Sequence, residues 1–134
     1  MEKIERHFEK ELNRLKETLL RLGSQAERSI EDALRALTQR DSTLARLIIE
    51  RDEGLDQLEL EADQICTDLL ARRQPIAGDL RFIITALKIA PELERIGDLA
   101  GNIAERAMEL AAEPPSKPLI DILRMATIAR DVFC

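Results

Sequence analysis

A chain of 134 residues with 45% apolar composition is long enough to bury the core of one domain, yet it holds three phenylalanines and neither tyrosine nor tryptophan. The core must be built from leucine, isoleucine and alanine, and the excess of good helix formers over aromatic and β-branched residues sets the fold class as all-α. A net charge of −6 excludes a general affinity for nucleic acid or for an anionic membrane surface, both of which need a basic patch.

From about Glu2 to Gln39, the residues Ile4, Phe8, Leu12, Leu15, Leu19, Leu22, Ala26, Ile30, Ala33 and Leu37 recur at steps of three or four. This predicts one long amphipathic helix. Gly23 falls inside the pattern, where it costs up to about 1 kcal/mol against alanine, and so marks a bend or a close contact with a neighbouring helix. His7 is expected on the solvent side. The break comes at Arg40 to Ser42, with Asp41 or Ser42 placed to cap the next helix.

A second helix is predicted from about Thr43 to Arg73, with an apolar stripe of Leu44, Leu47, Ile48, Leu55, Leu58, Ala62, Ile65 and Leu69. Arg72 and Arg73 sit where the helix dipole favours positive charge. Cys66 lies on the apolar side and reads as a core thiol, since no histidine is an obvious base for it. Neither Cys66 nor Cys134 has the spacing of a disulfide framework or a zinc site, which fits a reducing cytoplasm. The six residues QPIAGD then turn the chain, with Asp79 as the expected cap of the third helix.

The third helix is predicted from about Leu80 to Ala112, with Ile89, Leu93, Ile96, Ala100, Ile103, Ala107 and Leu110 on its apolar stripe. Pro91 removes a backbone donor there, so a kink is expected near Leu87 to Pro91. EPPSKP, Glu113 to Pro118, ends it. Three such helices with short connections form an elongated antiparallel bundle. Residues 1–113 are therefore read as one unit.

Residues 114–134 read as a linker and an opening helix of a second, incomplete unit, because Leu119, Ile122, Ala126, Ala129 and Phe133, widened by Ile120, Leu123, Ile128 and Val132, ask to be buried on most sides. The chain has no apolar run of about 18 residues and no charged-then-apolar leader, so neither a membrane span nor a secretion signal is expected.

The excess of acids falls on the second and third helices. Asp52, Asp56, Glu59 and Asp63 step by four, three and four, a stripe about 60° wide. Glu94, Asp98, Asn102 and Glu105 make another, expected roughly opposite the apolar stripe on an outer wall. Folding the two helices back about Ile76 sets Glu59 level with Glu94 and Asp56 with Asp98. Rows of like charge repel. A hard or borderline cation offsets this, because carboxylates supply oxygen ligands; the other reading is a solvated face, with arginine or lysine from a neighbour as counter-charge. A two-metal carboxylate enzyme would place the acids inside the bundle with Glu-x-x-His motifs, and His7 stands in none. Ser24, Ser29 and Ser42 have no companion motif for nucleophilic catalysis.

The runs RHFEKELNRLKETLLRLGSQAERSIEDAL, LLARRQPIAGDLR and LKIAPELERIGDLAGNIAE resemble the PhoU family of bacterial phosphate-uptake regulators, continuously over about Ile4 to Glu109. The resemblance implies two similar three-helix repeats, each with an acid-x-x-x-Asp motif that binds metal, in some members as iron or zinc clusters. That motif is Glu94 to Asp98 here, and with the facing stripe the candidate ligands are Glu94, Asp98, Asn102, Asp56 and Glu59, for iron, zinc, manganese or magnesium. The family implies no chemistry but a relay between the phosphate ABC transporter ATPase and a membrane sensor histidine kinase, restraining uptake and the starvation response. A cytoplasmic homo-oligomer, peripheral to the membrane through its partners only, is expected. PSKPLIDILRMATIARDV resembles the start of the second repeat, and the chain has about half the family's usual length. The alternative is a structural bundle without metal that oligomerises through its C-terminal apolar helix.

Overall fold

The computed structural model describes residues 2–113 and 118–133, with side chains at 6–113 and 124–132. The side chains of Ile4, Leu119, Ile120, Ile122, Leu123 and Phe133, the linker residues 114–117 and Cys134, all of which carry part of the sequence pattern, lie outside the described set. Four helices run in order: α1 (Glu2–Gln39), α2 (Ser42–Arg73), α3 (Ala77–Ala111) and α4 (Pro118–Phe133). The first three form the long antiparallel bundle, and α4 packs on α1.

Local chemistry fixes the ends. At the α1–α2 break Arg40 takes a left-handed φ of 53°, the Asp41 amide donates to the Ala36 carbonyl at 2.9 Å, and the Asp41 carboxylate caps α2 by accepting from the Leu44 amide at 3.0 Å. Arg40 also donates to the Leu110 carbonyl at 2.7 Å, tying this corner to the end of α3. The next turn is shorter than expected. Gln74 adopts the left-handed conformation, Ile76 is extended and takes the N-cap position without a side-chain hydrogen bond, and α3 begins at Ala77. Asp79 therefore sits in the first turn, where its charge meets the helix dipole, and is not the cap. The helix runs on through Pro91 without a break.

Two clusters make the core. One joins Leu12, Leu15, Leu22 and Ala26 of α1 to Leu55–Leu69 of α2 and Ile83, Ala86 and Ala90 of α3. The other joins Ile30, Ala33, Ala36 and Leu37 to Ala45, Ile48, Ala100, Ala104, Ala107 and Leu110, with Ala126 of α4. Between them the bundle has a polar waist. On one side buried Asp32 of α1, 7% exposed, accepts from Arg51 of α2 at 2.7 Å. Cys66 is buried, as its pattern predicted, and burial pushes its thiol up to about 11.

The face that α3 buries differs from the predicted stripe. Ala86, Ala90, Gly97, Ala100, Ala104 and Ala107 are buried, whereas Ile89 on α3 and Leu47 on α2 are exposed. At 100° per residue the buried face is centred roughly 60° from the stripe drawn through isoleucine and leucine, and Ala100, Ala107 and Leu110 belong to both. The reason is packing distance: α3 lies against both α1 and α2, and small side chains let it settle deeply into their groove. Gly23 meets α3 without crowding, since a Cβ there would stand 3.8 Å from Leu93 Cδ1, an ordinary contact. Gly23→Ala should therefore raise the urea-unfolding free energy by roughly 0.5–1 kcal/mol through helix propensity; a loss of stability would mean the helices approach more closely than this.

Candidate metal centre

On the other side of the waist, Asp52 and Asp56 of α2 face Glu94 and Asp98 of α3. One carboxylate oxygen from each of the four residues lies within 4.8 Å of the others. Glu94 stands close enough to Asp56 and Asp98, and Asp52 to Asp98, for a shared proton between the carboxyls to raise Glu94 and Asp52. Each helix contributes a pair four residues apart, one above the other on a single face. Gly97 brings the pairs together: it is buried between the acids of α3, and a Cβ there would fall 2.4 Å from Leu55 Cδ1 and 3.8 Å from Asp52 Oδ1. Only glycine permits this approach.

Like charges so close are costly, and the protonation state answers. Glu94 is half-buried; desolvation first, then hydrogen bonds to Asp56 and Asp98 and repulsion from Asp98 and Glu59, raise its carboxyl to about 8. Asp52 is raised by burial and by Asp98 and Asp56, and Glu59 by burial and by Asp56, Asp63 and Asp98. The arginines next in sequence are engaged elsewhere: Arg51 with Asp32 at 2.7 Å and Arg95 with Glu92 at 3.6 Å. Among the described residues no arginine or lysine ion-pairs with the four acids.

The arrangement fits a divalent cation. Oxygens on opposite sides of an ion at 2.0–2.6 Å stand roughly 4–5 Å apart, which matches a group confined within 4.8 Å. Asp52 Oδ1 is also buried without a hydrogen-bond partner, an acceptor left for a cation to satisfy. The donor set is all oxygen, suited to magnesium or manganese and acceptable to iron and zinc.

The electrostatics predict a pH dependence. Because the carboxyl of Glu94 is raised from 4.5 to about 8 on folding, its contribution to stability is complete below pH 4.5 and is lost as pH rises through about 8. Solvent reaches exposed Asp98 and screens the group, so the loss is on the order of 1–2 kcal/mol. Urea unfolding of metal-free protein should give lower stability at pH 8.5 than at pH 5.5, and Glu94→Gln should flatten the difference; stability rising with pH would contradict this arrangement.

Of the residues singled out in the sequence, Asp56, Glu94 and Asp98 are brought together. Asp52, a member of the predicted stripe but not of the predicted ligand set, completes the group. Glu59 lies near enough to perturb Glu94 but outside the group, and Asn102 is exposed further along α3. Pairing runs one helical turn away from the expected register, Asp56 with Glu94 in place of Glu59, because α3 starts three residues earlier than the QPIAGD signal suggested. The site is also not on an outer wall: the rotation of α3 carries Glu94 and Asp98 to the rim of the α2–α3 interface. His7 is exposed and contacts Glu11 at 2.6 Å.

The sequence pattern of the PhoU domain matches residues 19–107. The chain is 41% identical over 123 residues to the phosphate-specific transport system accessory protein PhoU homolog of Aquifex aeolicus, covering 92% of this chain and 56% of that protein. It is 34% identical to the Escherichia coli accessory protein PhoU over 119 residues, 89% of this chain and 49% of the other. The crystal structure of PhoU from Pseudomonas aeruginosa superposes with a TM-score of 0.86 at 37% identity, over 94% of this chain and 61% of that one. The chain thus spans about half the length of the curated relatives it matches.

Proposed function

Because this chain belongs to the PhoU domain family, we propose that it serves as a non-enzymatic accessory of phosphate uptake, an adaptor that holds the phosphate transporter's ATPase and a sensor histidine kinase in register and restrains both. The observation that carries the reading is the convergence of Asp52, Asp56, Glu94 and Asp98 from two helices into one group. A divalent cation held there offsets two of the four negative charges and joins α2 to α3, which stiffens the bundle as a docking scaffold. Asp52 and Glu94, both half-buried, anchor the ion, while Asp98 stands at the solvent edge. Among the described residues no helix is long and apolar enough to cross a membrane; in this reading the adaptor works in the cytoplasm and meets the membrane through its partners. Affinity capture from phosphate-replete cells should recover the ATPase or the kinase; recovery of neither sinks the adaptor reading.

A second reading has its own support. Met125, Ile128 and Val132 are exposed along α4, at spacings of three and four. In this reading the chain is a structural bundle that associates through that face without metal. Sedimentation should then give a dimer or larger, reduced to monomer by Ile128→Ser with Val132→Ser; a monomer with α4 folded removes it.

A further inference from the structure

The α2–α3 turn is tight, with three residues between the two helices. Gln74 and Ala77 hold left-handed φ values of 46° and 54°, each costing a residue with a Cβ about 1–2 kcal/mol, while the glycine one step on, Gly78, does not take a positive φ. At Gln74 this is the ordinary left-handed close of a helix, as at Arg40, and at Ala77 it turns the chain into α3. The turn holds Ile76 outward, 79% exposed, at the tip of the bundle.

Beside Ile76 lies a cavity of ≈ 600 Å³ with Phe8, Leu12 and Pro75 as apolar walls and Arg73 along it. Its volume suits an inserted side chain with its flanking backbone. Arg73 is half-buried, and its Nε is buried without a hydrogen-bond partner. An orphaned donor on a charged group costs about 1–3 kcal/mol or more, and a carboxylate acceptor would restore it with a charge-assisted bond. Glu9 and Asp79 also line the cavity with exposed carboxylates, yet neither is an acceptor for the buried Arg73 Nε, and that donor is what a partner's carboxylate would satisfy. An exposed apolar anchor beside an unpaired arginine is the composition of a binding hot spot.

We propose that this end of the bundle, the turn Gln74–Ala77 with the groove between Phe8 and Arg73, docks a protein partner's segment that carries a large apolar side chain next to an aspartate or glutamate. The apolar side chain enters beside Phe8 and Leu12, Ile76 packs over it, and the carboxylate accepts from Arg73. The assignment rests on the adaptor reading above and names the surface by which the adaptor grips its partner.

The test is equilibrium binding of the full chain to the purified transporter ATPase and, separately, to the cytoplasmic part of the kinase. Arg73→Gln, Ile76→Ser and, as a control on another face, Leu20→Ser, itself 73% exposed, are compared with the unaltered chain. Each altered side chain is exposed or unpartnered, so helical content by circular dichroism should be unchanged. Arg73→Gln and Ile76→Ser should each weaken binding at least tenfold, and Leu20→Ser less than twofold. Binding by the unaltered chain that is indifferent to both turn variants, or equally weakened by Leu20→Ser, overturns the docking site and leaves the adaptor reading standing. Failure of the unaltered chain to bind either protein overturns the adaptor reading and the docking site with it.

Discussion

Gly97→Val should cost about 3 kcal/mol of unfolding free energy and weaken metal binding at the same time. The first atom added already falls 2.4 Å from Leu55 Cδ1 and 3.5 Å from Leu55 Cγ, and Leu55, 2% exposed, has no solvent to turn into. Overpacking of this kind costs about 1–3 kcal/mol, and valine's two further methyls put it at the upper end. The gain in helix propensity, a few tenths of a kcal/mol, does not offset this. Gly97→Ala should fall between, at about 1–2 kcal/mol, because alanine recovers up to about 1 kcal/mol of propensity. Out of a total stability of about 5–15 kcal/mol either loss is readily measured by urea unfolding. Relief of the clash requires α2 and α3 to move apart, and that separates Asp52 and Asp56 from Glu94 and Asp98. A valine variant as stable as the unaltered chain would show that the close approach at Gly97 is not what holds the acids together.

Manganese added to the metal-free protein at about 100 times its dissociation constant should stabilise the fold by about 2.7 kcal/mol, a rise in Tm of roughly 10 °C for a domain of this size. Binding at pH 7 should release a proton, since Glu94, raised to about 8, is largely protonated there and must ionise to become a ligand. The apparent affinity should accordingly increase as pH rises toward 8, the opposite sense to the stability of the metal-free chain. Glu94→Gln should abolish most of the Tm shift and the proton release together. A Tm shift retained in that variant would place the ion elsewhere.

Much of this was readable in the sequence, and the failures have a common cause. The four-residue steps Asp52–Asp56 and Glu94–Asp98, the Asp41 cap and the core placement of Cys66 follow from local periodicity and capping, which depend on neighbours a few residues away. The cross-helix register does not. It is set by a turn whose residues Gln74 and Ala77 adopt left-handed φ although Gly78 stands beside them. The six-residue signal QPIAGD thus hid a three-residue connection, moving the pairing by one turn so that Asp56, not Glu59, meets Glu94 and Asp52 enters the group. The rotation of α3 was hidden for a second reason. Hydrophobic pattern ranks Ile89 above Ala86 or Gly97, but a helix seated against two others buries whichever face lets it come closest. Gly97 was the one legible trace of that approach, and its meaning appears only once Leu55 is seen opposite.

The central claim is that Asp52, Asp56, Glu94 and Asp98 form one cation site across α2 and α3. Calorimetric titration of the metal-free chain with manganese tests it most directly, comparing Asp52→Asn, Glu94→Gln and Glu59→Gln with the unaltered protein. Affinity should fall at least tenfold in the first two and change less than threefold in the third. Undiminished binding by Asp52→Asn, or loss of binding confined to Glu59→Gln, would contradict it.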